Sequence, residues 1–133
     1  AVKQVEKRPP IEYRPIVGAY IHGLTRTAEA GCAGIMRLGS FTVLNTGFPG
    51  HLDVEIAPVN GPDRPQVWVS TEYAISGEEV EVFVDATGIE PGLHMIAINL
   101  RAYGTSRISS YVVRGWLLIH YPTTPDCVSR YEG

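Results

Sequence analysis

The chain has 133 residues, with 14 glycines, 10 prolines and a net charge of −3, a size at which one domain buries its own core without a metal or a dense disulfide set. Its eleven basic residues are scattered rather than clustered, so there is no electrostatic footprint for a phosphate backbone and nucleic acid is not an expected partner. No apolar run approaches the roughly 18 to 20 residues of a membrane-spanning helix, and the longest, Trp116 to Ile119, is strand-sized, so no membrane span is expected.

The sequence opens at Ala1, which is what remains when a signal peptide is cut at a small-residue site and equally what trimming leaves; the expectation drawn from it is a secreted or cell-surface protein. Residues 1–16, AVKQVEKRPPIEYRPI, place Pro9, Pro10 and Pro15 among charged residues. That composition reads as an extended N-terminal arm rather than a helix or a central strand. Ile11, Tyr13, Ile16 and Val17 are its apolar anchors. Residues 9–21 are expected to run along the open sheet edge of a neighbouring copy, with prolines suited to an edge position.

The folded body is expected over residues 17–133. Val17 to Leu24 reads as a first strand, and Thr25 to Gly34 as a loop or a single helical turn. Ile35 to Leu44 runs into the turn cluster Asn45-Thr46-Gly47-Phe48-Pro49-Gly50. Leu52, Val54 and Ile56 then alternate with His51, Asp53 and Glu55, the pattern of a half-buried strand. Pro58, Gly61, Pro62 and Pro65 punctuate a loop before Val67 to Thr71, and Val80, Val82 and Val84 alternate with more polar neighbours. Leu93 to Leu100 and Tyr111 to Tyr121 follow, each after a Gly-rich turn. Short strands at this spacing with little helix between them predict an all-β fold, an immunoglobulin-like antiparallel two-sheet sandwich. Its core is predicted to include Phe41, Val43, Leu52, Val54, Ile56, Trp68, Val80, Val82, Val84, Ile96, Ile98, Leu117 and Ile119.

Cys32 and Cys127 form an even pair in a chain expected to be exported, which permits one disulfide; two unpaired small apolar side chains are the alternative. Such a bridge would close a loop of roughly 95 residues, stabilising by about 4 to 5 kcal/mol in the chain-entropy account.

Between Phe41 and Leu100 the chain resembles the BACON-type group of immunoglobulin-like accessory domains of secreted prokaryotic proteins. Phe41-Thr42-Val43-Leu44-Asn45-Thr46-Gly47 is similar to a family strand ending in an Asn-x-Gly turn, Trp68-Val69-Ser70 to its Trp-centred strand, and Val80 to Gly92 to its strand, Asp/Gly turn and Pro-Gly entry. His94 departs from the pattern, standing where an aromatic is usual, and residues 1–34 have no counterpart. The resemblance implies a non-catalytic extracellular or periplasmic module, in some members suspected of binding glycans.

No catalytic or cofactor-binding set is assigned. His22, His51, His94 and His120 are isolated, without His-x-x-x-His or Cys-x-x-Cys spacing, and His51 and Asp53 come without a nucleophile motif. Asp63, Asp85, Glu78, Glu79, Glu81 and Glu90 lie in or beside turns but lack EF-hand spacing, so no metal site is assigned and calcium stays an open question. The aromatics are the remaining lead. Trp116 shares a strand face with Val112, Arg114, Leu118 and His120, and Arg114, Trp116 and His120 form a candidate interface of the kind that binds protein or sugar. The leading expectation is a self-assembling extracellular structural subunit, a homo-oligomer or polymer in a filament or surface layer, joined by N-terminal strand addition. The alternative is a carbohydrate-binding or adhesion module whose partner is a glycan or a cell-surface protein.

Overall fold

The computed structural model describes residues 11–133; the part of the expected arm before Ile11 lies outside the described residues. Strands β1 (Val17–Gly23), β2 (Thr25–Glu29), β3 (Ile35–Asn45), β4 (Val54–Pro58), β5 (Gln66–Val69), β6 (Tyr73–Ala74), β7 (Glu79–Asp85), β8 (Gly92–Tyr103) and β9 (Ile108–His120) precede one helix, α1 (Pro125–Glu132). They form a four-stranded sheet in the order β1-β3-β7-β5 and a five-stranded sheet in the order β2-β9-β8-β4-β6. The order is that of an immunoglobulin-like sandwich, with the first strand split between the two sheets.

The inward parity of each strand supplies the core. Phe41, Val43, Val80, Val82 and Val84 from one sheet meet Val54, Ile56, Ile96, Ile98, Leu100, Val113, Leu117 and Ile119 from the other, all buried. The alternation predicted for β7 is realised residue by residue, and that of β9 from Val112 to His120.

Four expectations are corrected. Residues 25–34 contain neither a helical turn nor loop alone: Thr25 to Glu29 form β2, which pairs in parallel with β9, so the sandwich is not wholly antiparallel. The chain crosses between sheets at Gly23-Leu24, and the crossing is possible because Gly39 on β3 and Gly115 on β9 carry no Cβ; a Cβ at Gly115 would lie 2.7 Å from the Leu24 carbonyl oxygen. Leu52 is only half-buried, because β4 starts at Val54 and residues 51–53 lie outside it. Trp68 is not core. Val67 and Val69 occupy the more buried parity of β5, which leaves the indole on the outer face, 39% exposed and stacked on Phe83.

Residues 11–16 are seated on their own domain. Arg14 and Phe48 exchange both backbone hydrogen bonds, and the Tyr13 carbonyl accepts from the Thr105 amide at 3.0 Å. Buried Asn45 accepts from the Ile16 amide at 3.0 Å and from the Gly47 amide, while its side-chain amide donates to the Pro49 carbonyl. Gly47 and Gly104 leave room for this path: a Cβ at either would press on the backbone of residues 13–16. Val17 is buried as the first residue of β1, whose partner is β3 of the same chain.

Cys32 and Cys127 are disulfide-bonded, tying the turn after β2 to α1. The helix starts as its Thr124-Pro125-Asp126 sequence dictates, with Pro in the first turn and an acid near the positive end. Thr124 makes no side-chain cap, and its hydroxyl donates to Glu29 at 2.8 Å.

Candidate assembly surface

The outer face of the five-stranded sheet follows from what faces inward. On β8 the even positions 96–102 are buried, so Leu93, Met95, Ala97, Asn99, Arg101 and Tyr103 point away from the core. On β9 the odd positions 113–119 are buried, which turns Val112, Arg114, Trp116, Leu118 and His120 outward. The ladder sets these rows directly opposite one another: Leu93 faces Leu118, Met95 faces Trp116, Ala97 faces Arg114 and Asn99 faces Val112. On the other side of β9, parallel β2 brings Thr25 beside Trp116 and Thr27 beside Leu118.

The result is a continuous apolar strip. Leu93 is 62% exposed, Met95 and Trp116 are each 40% and Leu118 is 39%. With Val112 these side chains present on the order of 400 Å² of apolar surface, in the size range where a patch on a monomer commonly marks a contact site. Arg114 and the threonines of β2 give it a polar rim, which matches the composition of protein contact surfaces.

Of the three interface residues named from sequence, Trp116 lies within the strip and Arg114 beside it. His120 sits at the end of β9, next to Glu29 in the ladder, with Nδ1 and the Tyr121 carbonyl 3.1 Å apart. The sequence reading missed Leu93 and Met95. The signal was present in Leu93-His94-Met95-Ile96-Ala97-Ile98-Asn99-Leu100: a strand apolar on both parities has more apolar residues than one buried face can use. Of the arm residues, Pro15 and Val17 are buried, while Ile11 (70%) and Ile16 (60%) stay exposed.

Electrostatics on the strip itself are plain. The one strong perturbation nearby belongs to Glu29, whose carboxylate accepts hydrogen bonds from the Thr124 and Thr123 amides and hydroxyls and is lowered to about 2 from an ordinary 4.5. That network ties the segment after β9 to β2. Among the described residues no three His, Cys, Asp or Glu side chains converge as a metal would require. Three of the six turn acids are engaged within the chain: Asp85 accepts from the Thr87 amide and hydroxyl, Glu81 pairs with Arg37 at 3.2 Å, and Glu78 accepts from the Ile75 amide.

No family model matches the chain, and no curated protein matches it. Among solved structures it is similar to domains 4 and 5 of the S-layer protein SbsC, at 16% identity and a TM-score of 0.46 over 80% of this chain; it spans about half, 54%, of that one. It is also similar to the ASH/PapD-like domain 7 of human CEP192, at 10% identity and a TM-score of 0.49, covering 93% of this chain and 99% of that one. A third likeness is to AggA, the major subunit of the aggregative adherence fimbriae type I of Escherichia coli, at 8% identity and a TM-score of 0.40, covering 88% of this chain and 100% of that one.

Proposed function

We propose that this chain is a non-catalytic structural subunit that works outside the cell, in a filament or surface layer, and associates with copies of itself through the outer face of its five-stranded sheet. The observation that carries this reading is the strip of Leu93, Met95, Trp116 and Leu118, four large apolar side chains placed side by side in water by strands whose other faces already fill the core. The Cys32–Cys127 disulfide supports an oxidising compartment, and the resemblance to BACON-type domains points the same way.

A face pairing with its own copy closes into a dimer, so growth into a polymer needs a second, head-to-tail contact. N-terminal strand addition is the contact proposed for that role. For Ile11 to Val17 it means leaving the seats at Gly47 and Gly104 and giving up the backbone bonds to Phe48 and Thr105, which makes it the switchable step and the face the standing one.

Sedimentation equilibrium of the full chain tests the reading. Wild-type protein is expected to dimerise with a dissociation constant on the order of micromolar, as suits an apolar centre smaller than the roughly 800 Å² per partner of standard interfaces. Trp116→Glu and Leu93→Glu should each give a folded monomer. A wild-type chain that stays monomeric at the highest attainable concentration overturns the self-association and assigns the strip to a different partner, a cell-surface protein or a glycan.

A further inference from the structure

Cys32 and Cys127 share one bond but not one environment. Cys32 stands exposed in the turn after β2, whereas Cys127 is the side chain that α1 buries, 5% exposed. We propose that the Cys32 sulfur is a site of thiol–disulfide exchange with an external dithiol, and that exchange there releases α1 from the sandwich. The inference is independent of the outer-face contact.

Access decides which sulfur is attacked. Exchange needs a thiolate at a sulfur it can reach, and burial withholds Cys127. Beside Cys32 a cleft of about 330 Å³ opens between its own turn, the β7–β8 turn and the end of α1, with Gly31, Ala33, Ile89 and Arg130 in its lining. Arg130 is in no ion pair among the described residues, and its Nη1 lies 3.9 Å from Cys32 Sγ. A guanidinium in that place draws an anionic thiolate toward Cys32.

Charge at the other sulfur selects a dithiol. When a thiolate bonds to Cys32 Sγ, the bridge breaks and its electron pair leaves on Cys127 Sγ, 3.9 Å from Glu29 Oε2. The carboxylate raises the proton affinity of the new thiolate, and with it the nucleophilicity. Held beside the mixed disulfide, Cys127 attacks Cys32 again and expels a monothiol. A dithiol escapes this return. Its second thiolate attacks its own sulfur in the mixed disulfide, closes an internal disulfide and frees Cys32 as a thiolate. The dithiol is oxidised by two electrons, the bridge is reduced by two, and the two protons the dithiol loses end on Cys32 and Cys127.

The consequence for α1 follows from its size. A helix of 8 residues is marginal by itself in water. Without the bridge it is held before its first turn by the Glu29 bonds to Thr123 and Thr124, and near its end by the edge contact of Tyr131 with Tyr121. Neither orders the middle of the helix. Cys127 lies outside the cluster of side chains packed between the sheets, so the sandwich keeps its core when α1 leaves. What the departure uncovers is the cleft floor, where Ala33 and Ile89 are half-buried against that core.

The test exposes folded ¹⁵N-labelled full chain to glutathione, an anionic monothiol, to cysteamine, a cationic one, and to dithiothreitol, at equal thiol concentrations, with acid quenching and peptide mapping at intervals. Both monothiols are expected to add to Cys32 alone and to remain substoichiometric, whereas dithiothreitol reduces the bridge completely. Cross-peaks of α1 should then move to unstructured positions while those of β3, β7 and β9 stay. Arg130→Gln should slow glutathione by at least about threefold and leave cysteamine within about twofold. Cys32→Ser should free α1 with no reductant present. Adducts on Cys127, stoichiometric addition of glutathione, or equal slowing of both monothiols by Arg130→Gln overturns the proposal. So do α1 cross-peaks that hold their positions after reduction, or a bridge that yields only as the β3 and β7 cross-peaks are lost, since exchange would then report unfolding of the sandwich.

Discussion

Replacing Gly39 by alanine should damage the corner at which the first strand changes sheets. A Cβ at Gly39 would overlap the Gly23 carbonyl oxygen, lie 2.7 Å from its carbon and 3.3 Å from the Leu24 Cα. All three are backbone atoms, so no side chain can swing aside and the crossover itself must move. Overpacking of this kind costs about 1 to 3 kcal/mol. Moving Leu24 also strains the 2.7 Å bond from the Trp116 amide to its carbonyl, worth about 1 kcal/mol. Against this, alanine in a strand regains about 0.5 to 1 kcal/mol over glycine. The net loss is about 1 to 3.5 kcal/mol, which for a domain of this size lowers the melting temperature by roughly 5 to 15 °C. Gly18→Ala is the matched control, on β1 with no heavy atom within 4 Å of the added methyl, and should be as stable as wild type or more stable by up to about 1 kcal/mol. Denaturant unfolding followed by Trp fluorescence, with thermal melts alongside, measures both. If Gly39→Ala is as stable as wild type, or if Gly18→Ala loses as much, steric exclusion at the crossover is not what these glycines are for.

Asn45→Ala removes the acceptor of the Ile16 and Gly47 amides and the donor to Pro49 at a buried position; a loss of about 2 to 4 kcal/mol is expected, with faster amide exchange at Ile16 marking release of residues 11–16. Reducing the Cys32–Cys127 bridge, which spans 95 residues, should lower stability by about 4 kcal/mol in urea titrations run with and without reductant. Glu29, lowered to about 2 from 4.5 by the Thr124 and Thr123 hydrogen bonds, contributes stability that is full above its unfolded value and is lost as the pH falls from there through the folded one. The stability of Glu29→Gln should accordingly fall less steeply than wild type over that window, and a side-chain NMR titration of Glu29 with a midpoint at the ordinary value would refute the assignment. Asn60→Ala should leave the Val67 amide and carbonyl open to water and speed exchange of that amide, with a modest loss of about 1 kcal/mol.

The sequence by itself determined the fold class and most of the core. Period-two alternation at Val80, Val82 and Val84 and from Val113 to Ile119 states which side of each strand is dry, and the Gly- and Pro-rich turns state where strands end. The even cysteine count and the isolated histidines were equally plain to read. Position within a sheet was not, because it depends on which strands become neighbours. Trp68 looked like a core residue until β5 took Val67 and Val69 as its more buried parity, and that choice follows from pairing with β7. Leu93 and Met95 became part of a surface only when the ladder set them across from Leu118 and Trp116. The segment from Ile11 to Ile16 has the composition of a free arm. Its seat on its own domain comes from Asn45, Gly47 and Gly104, residues far along the chain whose hydrogen bonds and missing Cβ atoms exist for it only once the sandwich has closed. Local pattern reports whether a residue faces water or core, whereas partners brought together across many tens of residues are settled by long-range packing, which a single strand's sequence does not encode.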